Sequence, residues 1–593
     1  MFKQLKRYYT AVLQFFPIQL ILVQLKKGHL LLVFWILLYA LITGGIARKY
    51  GGAYLFLSPE YLDDVNPLSY FLVGLCFGFF TMAFHISSYI HYSFRFPFLA
   101  TLARPLFKFS LNNSLVPAII ILVYIKEVIQ FQVALDNLDW LGILFIAASL
   151  VIGIIVAIAL IFTYFMNTNK SLVEEKLTEI TPLRLLVKKR TDLDALMPDD
   201  LNKVKTYLNG FWHINLVRRT SHYDQAFMLK TLQQHHRNAA VYAVVVFVLL
   251  LLLSLFKESG TVMLPAAGSI LILFALYLMI TGALVSRFKG WTTTVIIIGF
   301  LIVNALSGEG RLRGVHPAYG INYDTTQAEY SYDRLQQITS PEIIEEDKLV
   351  MLEILEKWKA KNMGADSSLP KIIFINTSGG GLRSALWTFN VMQTAEELSG
   401  GAFMSQTHFI SGSSGGLLGT SFFRELYLQK SPHLFSDSLG RHISKDILNP
   451  VVFNLIVSDL FINFDHWKDG DRSYRKDRGF AFEYKFSENT GGILDKRMRD
   501  YSLAERNAEI PMTLISPTLI NEGRRLLISP LPISYLSVFQ TAPKDREPQH
   551  FDGIEFSRMF ADQDAGNLRF LTALRMSATF PYITPLVKLP STP

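Results

Sequence analysis

The sequence predicts two unlike parts: a multi-span α-helical membrane domain, then an α/β domain. Three observations carry that prediction. Half of the 593 residues are hydrophobic, and the long apolar runs crowd into the first half. Lys and Arg gather at alternate ends of those runs. Between Pro370 and Lys430 the chain twice follows an apolar β-type run with a glycine-dense turn and a helix-compatible segment. The expected organisation is a membrane domain over 1–306, a linker and leading helix over 307–369, and the α/β domain over 370–593.

A helix needs about 20 apolar residues to cross a bilayer core. Leu30–Ala47, Leu68–Ile90, Leu141–Met166, Ala239–Leu255 and Met263–Leu284 meet that need. Leu115–Leu135, which contains Lys126 and Glu127, and the short Thr292–Leu306 bring the expectation to about seven spans. Ionisable residues at membrane depth are expensive and often functional. Here the plainer expectation is that Lys126 and Glu127 lie near a span's end or face the bundle. The N-terminus carries Lys3, Lys6 and Arg7, but Pro17 interrupts its apolar run and no small-residue cleavage site follows. It reads as a retained interfacial or anchoring helix rather than a signal peptide.

Lys and Arg mark cytoplasmic loops. Lys26, Lys27, Arg95, Arg104, Lys108, Arg287, Lys289 and the basic connection 167–238 fall on one side if the N-terminus is cytoplasmic. That connection reads as a small cytoplasmic helical subdomain or extended helices, and seven spans place the C-terminal domain on the extracytoplasmic side.

The net charge of +8 is accounted for by these loops, and no basic–aromatic pattern calls for nucleic acid. Cys76 is the single cysteine, which excludes an intrachain disulfide framework and a zinc cluster. No metal or cofactor is implied.

In the second half, Ser340-Pro341 has the form of a helix start, serine at the cap and proline in the first turn. That helix leads to a strand at Lys371–Asn376 and the turn Gly379-Gly380-Gly381-Leu382-Arg383. Ser384–Leu398 reads as a helix, and a second strand ends in Gly412-Ser413-Ser414-Gly415-Gly416. The latter fits G-x-S-x-G with Ser414 at its centre. A nucleophilic serine belongs on such a strand-to-helix bend, with flanking glycines (Gly412, Gly416) permitting close backbone approach. Backbone N–H groups of a glycine turn at the mouth of a helix can stabilise an oxyanion. Ordinary glycine-rich βα turns, or a phosphate-binding loop, are the plainer alternatives. No Gly-Lys-Ser/Thr follows the first turn, so the Walker pattern is excluded.

With Ser577-Ala578-Thr579-Phe580-Pro581 added, these turns resemble the patatin-like phospholipase family. The resemblance covers about Lys371 to the C-terminus. It implies a three-layer α/β/α hydrolase with Ser414 as nucleophile of a Ser–Asp dyad and Gly379, Gly380, Gly381 and Leu382 as the oxyanion turn. Arg383 either binds a substrate phosphate or pins that turn. In the family the dyad aspartate follows the Ser-Ala-x-x-Pro segment within Asp-Gly-Gly or Asp-Gly-Ala. Here the nearest Asp-Gly is Asp552-Gly553, which precedes that segment. The expectation is that the aspartate lies beyond Pro593 and that Asp552 does not replace it. His408 reads as structural, and His442, His466 and His550 are the candidates for a triad instead.

Asp465–Gly492 reads as a loop insertion, and Ile510–Ser516 and Arg525–Ser529 as strands. The expected function is hydrolysis of membrane lipid esters, of phospholipase A or lysophospholipase type. Membrane lipids are then both substrate and environment. An inactive membrane scaffold or receptor, and an acyltransferase using the same serine, are the alternatives.

Overall fold

The computed structural model describes residues 9–48, 51–135, 139–168, 204–210, 213–217, 260–288, 291–308, 316–364, 368–460, 465–538, 551–580 and 583–592, with a few isolated positions between them. The chain divides into two compact units near residue 312.

The first unit is helical. α1 (Phe16–Lys27) starts with Pro17 in its first turn, so the proline opens a helix rather than breaking one. α2 (His29–Ile42) follows at a bend of 96°. It stops short of Ala47 because Gly44 and Ala47 both adopt positive φ. α3 (Pro67–Tyr92), α4 (Leu115–Leu135), α5 (Trp140–Thr168) and α6 (Ala266–Phe288) match four of the expected spans within a few residues. Each of the four contains a stretch long and apolar enough to cross a membrane, and the α1–α2 pair is a candidate fifth. α7 (Thr292–Gly308) is shorter. The expected span Ala239–Leu255 lies almost wholly outside the described residues. The chain is a multi-pass integral membrane protein.

α3 is the centre of this unit. Asn66 and Ser69 cap its start reciprocally. A methyl group on Gly74 would stand 2.2 Å from the Leu150 carbonyl oxygen, and one on Gly153 2.3 Å from that of Phe71. The small residues thus let α3 and α5 touch backbone to backbone, the usual basis of close helix packing in lipid. Polar side chains face inward: Gln24 donates to Asn113 at 2.7 Å, and Gln132 donates to the Tyr70 hydroxyl at 2.6 Å. Lys126 and Glu127 sit mid-way along α4 rather than near its end, joined at 3.2 Å. Within the polar connection 167–238, expected to be helical, the described residues include an antiparallel pair, β1 (Thr206–Gly210) and β2 (His213–Leu216).

The second unit is mixed α/β. α8 (Pro341–Asn362) starts as its sequence predicts, with Ser340 accepting from the Ile343 N–H. A parallel three-stranded sheet follows in the order β3 (Ile373–Thr377), β4 (Thr407–Gly412), β7 (Met512–Ile515). Alternation along the strands gives each face its own core. Phe409, Met512 and Leu514 pack with Ile354 and Trp358 of α8. Ile410 and Ile515 pack with α9 (Gly381–Leu398) and α10 (Ser414–Leu428) through Ala385, Phe389, Leu417 and Phe422. A methyl group on Gly419 would stand 2.2 Å from the Ala385 carbonyl oxygen, so these two helices also touch backbone to backbone.

The Asp465–Gly492 segment is more ordered than a loop insertion. It forms the hairpin β5 (His466–Asp469) and β6 (Arg472–Arg475), then α11 (Arg478–Asn489). Asp477 caps α11 by accepting from the Phe480 N–H at 2.9 Å, and Phe482 and Phe486 enter the core. β8 (Arg525–Leu527) pairs in parallel with β9 (Gly553–Glu555) in a separate ladder, while β7 joins the central sheet. α12 (Phe570–Ala578) completes the unit.

Candidate active site

The two glycine turns lie side by side because β3 and β4 are parallel neighbours and pair Thr377 with Gly412 at their ends. Each strand then gives way to a helix, and both helices begin at the same edge of the sheet. The Ser413 N–H donates to the Thr377 carbonyl at 3.1 Å, which fixes one turn to the other.

Ser414 has φ +51, a left-handed conformation uncommon for a residue with a side chain. Such backbone costs about 1–3 kcal/mol and persists only where the surroundings enforce it. The surroundings here are close backbone. A methyl group on Gly415 would lie 1.9 Å from the Gly381 carbonyl oxygen, and one on Gly416 2.4 Å from that of Ser378. Gly412 abuts Thr377 in the same way, at 2.2 Å from its Oγ1. Only residues without side chains fit between the two turns.

A methyl group on Gly379 would stand 3.0 Å from Ser414 Cβ and 3.6 Å from its Oγ, so the triple-glycine turn borders the serine directly. Gly381 has φ +65 and nothing within 4 Å of its missing side chain. Ser384 steadies the turn by donating to the Ser378 carbonyl at 2.8 Å. Gly379, Gly380, Gly381 and Arg383 are exposed, while Leu382 is half-buried against the core. Neither α9 nor α10 has a side-chain cap at its N-terminus. First-turn N–H groups lack intrahelical partners, and a helix N-terminus favours negative charge. Two such ends therefore meet beside Ser414, an arrangement able to hold an oxyanion.

Ser577 joins the site from α12: its Oγ accepts from the Ser414 N–H at 3.2 Å. The sequence marks this residue only through its Ser-Ala-Thr-Phe-Pro segment and gives it no role. Among the described residues, the Ser414 hydroxyl is not hydrogen-bonded to a carboxylate or an imidazole. Asp552 lies just before β9, in the other ladder, 3.9 Å from Arg525. His408 is buried, its ring 5.9 Å from that of Trp358 and 6.2 Å from that of Phe374. Burial holds its pKa below the usual value. Among the described residues, its Nε2 is buried without a hydrogen-bond partner. His442 and His466 are exposed, on the helix Ser438–Ser444 and on β5, and His550 lies outside the described residues.

Two buried Arg–Glu pairs stiffen the elements around the site. Arg424 of α10 donates to Glu505 and to the Pro511 carbonyl, tying the helix of Ser414 to the start of β7. Burial raises the Glu505 carboxyl to about 8 against the opposing pull of Arg424 and the Thr513 N–H. Glu483 of α11 accepts from Arg575 Nε at 2.7 Å and from the Thr572 hydroxyl at 2.9 Å, holding α12 in place. Burial raises the Glu483 carboxyl in spite of Arg575.

A cavity of about 310 Å³ lies between α11 and Arg569, lined by Trp467, Phe480, Tyr484 and several acids. Its charges are paired internally: Glu488 with Lys485, Asp495 with Arg569, and Glu483 with Arg575. Neither Ser414 nor Ser577 is among the residues that line it. Among the described residues, no group of three or more His, Cys, Asp or Glu could hold a metal ion.

No protein-family model, no curated protein and no solved structure matches this chain.

Proposed function

We propose that the second unit is a serine acyl hydrolase of lipid esters, of phospholipase A or lysophospholipase type, with a patatin-like three-layer fold. One observation carries the reading: Ser414, in a left-handed bend between parallel strand and helix, lies against the exposed Gly379–Gly381 turn. The Ser414 hydroxyl attacks the ester carbonyl. The N–H groups of the glycine turn stabilise the oxyanion that forms. A carboxylate base takes the serine proton and returns it to the leaving alcohol, and water then releases the acyl group. Transfer of the acyl group to another alcohol would use the same residues.

The four apolar helices of the first unit support lipid as the substrate class, because a tethered catalytic unit meets membrane esters without a search through solution. The positive-inside distribution supports an extracytoplasmic position for the second unit, and protease accessibility in sealed, oriented vesicles tests it. A second reading, a non-catalytic scaffold, is favoured by the lack of a carboxylate on the Ser414 hydroxyl among the described residues. Release of fatty acid from phospholipid vesicles by the purified chain, lost in Ser414→Ala, distinguishes the two. Equal release by both proteins excludes Ser414, and no release by either favours the scaffold.

A further inference from the structure

We propose that Ser577 is a positioning residue for Ser414, a cap supplied from the far end of the chain that holds the bend in its left-handed conformation. The proposal rests on the reading of Ser414 as nucleophile and goes beyond it.

Helix α10 begins without a local cap: Ser413, at the capping position, makes no side-chain hydrogen bond to the first turn. The Ser414 N–H is one of the donors that a helix start leaves without an intrahelical partner. It is satisfied by Ser577 Oγ at 3.2 Å, across 163 residues of sequence. A local Ser, Asp or Asn cap accepts from the second or third N–H of a helix, so the first, that of Ser414, needs an acceptor from elsewhere, and α12 supplies it.

The cap is rigidly held. Ser577 lies in the last turn of α12, two residues beyond Arg575 and five beyond Thr572, both of which bind the buried Glu483 of α11. The Arg575 guanidinium also lies over the Tyr319 ring, 5.3 Å from its centroid. These contacts fix the part of α12 that carries Ser577. The strained residue Ser414 is therefore fixed from two sides, by the close-packed glycines and by α12.

The test uses the full chain in lipid nanodiscs and compares wild type, Ser577→Ala, Ser577→Thr and Ser414→Ala. The readouts are the second-order rate of labelling by a fluorophosphonate probe, kcat and KM on a short-chain ester, and thermal stability. A displacement near 1 Å at a reacting group costs up to about 100-fold, so Ser577→Ala should label and turn over about 10- to 100-fold more slowly. KM should stay near the wild-type value, and Ser577→Thr, which keeps the acceptor, should restore most of the rate. A folded Ser577→Ala protein that labels at the wild-type rate, while Ser414→Ala does not label, overturns the cap and leaves Ser414 as nucleophile. Wild-type labelling of Ser414→Ala overturns both. Should Ser577→Ala not fold, Ser577→Cys, nearly isosteric and a weak acceptor, takes its place in the comparison, and a wild-type labelling rate there overturns the cap as well.

Discussion

Gly415→Ala perturbs the proposed site most locally. The added methyl group would lie 1.9 Å from the Gly381 carbonyl oxygen, where carbon and oxygen normally approach no closer than about 3.3 Å. The Ser414 bend and the glycine turn must therefore separate by about 1.4 Å. Both partners are backbone, so no side-chain rotation relieves the clash. Overpacking of this kind costs about 1–3 kcal/mol in stability. The same displacement parts the Ser414 hydroxyl from the N–H groups proposed to hold the oxyanion, for which a loss of about 100-fold in kcat is expected. Gly440→Ala is the control: its methyl group meets Asn390 and Leu386 at 3.4 and 3.5 Å, ordinary contact distances, within the helix Ser438–Ser444. The assay is ester turnover and fluorophosphonate labelling by the full chain, with melting temperatures measured in parallel. A Gly415→Ala protein that turns over like Gly440→Ala would refute the juxtaposition of the two turns as the source of activity.

Three further outcomes are expected. Glu483→Ala leaves Arg575 buried without its carboxylate and should destabilise the second unit by about 3–5 kcal/mol, read by thermal or denaturant unfolding; the paired change Glu483→Met with Arg575→Met should recover much of that loss. Glu505 binds its proton more tightly folded, at about 8, than unfolded, so in that window the native state holds the extra proton and stability falls as pH rises from about 5 to about 8; Glu505→Gln should flatten this slope in melting temperature against pH, and an unchanged slope contradicts the assignment. In the membrane unit, Gly74→Val should drive α3 and α5 apart and lower thermal stability in detergent by about 1–3 kcal/mol or more.

Much of the membrane unit is legible in sequence because long apolar runs and helix lengths are set by the same bilayer thickness. Leu115–Leu135 is reproduced without change, and α3, α5 and α6 differ from their expected bounds by a few residues. The two glycine turns are legible for a local reason: close backbone approach demands glycine at Gly412, Gly415 and Gly416, and the demand is visible in composition. What escapes the sequence depends on distant partners. Charged and aromatic residues over Asp465–Gly492 suggest a solvated loop, yet Glu483 is buried because Arg575, 92 residues later, neutralises it. Ser577 likewise shows no role until the fold brings it to the Ser414 N–H. Hairpin β1–β2 escapes for a local reason: the apolar residues of the connection recur at helical spacing, which hides the antiparallel pair.

The most direct measurement is fluorophosphonate labelling of the intact chain, wild type against Ser414→Ala, in membranes where both proteins are shown to be folded. A labelled serine is expected in the wild type, mapped by mass spectrometry to the peptide containing residue 414, and no label in the variant. Labelling of equal strength in both, or a label mapped to another serine, would contradict it.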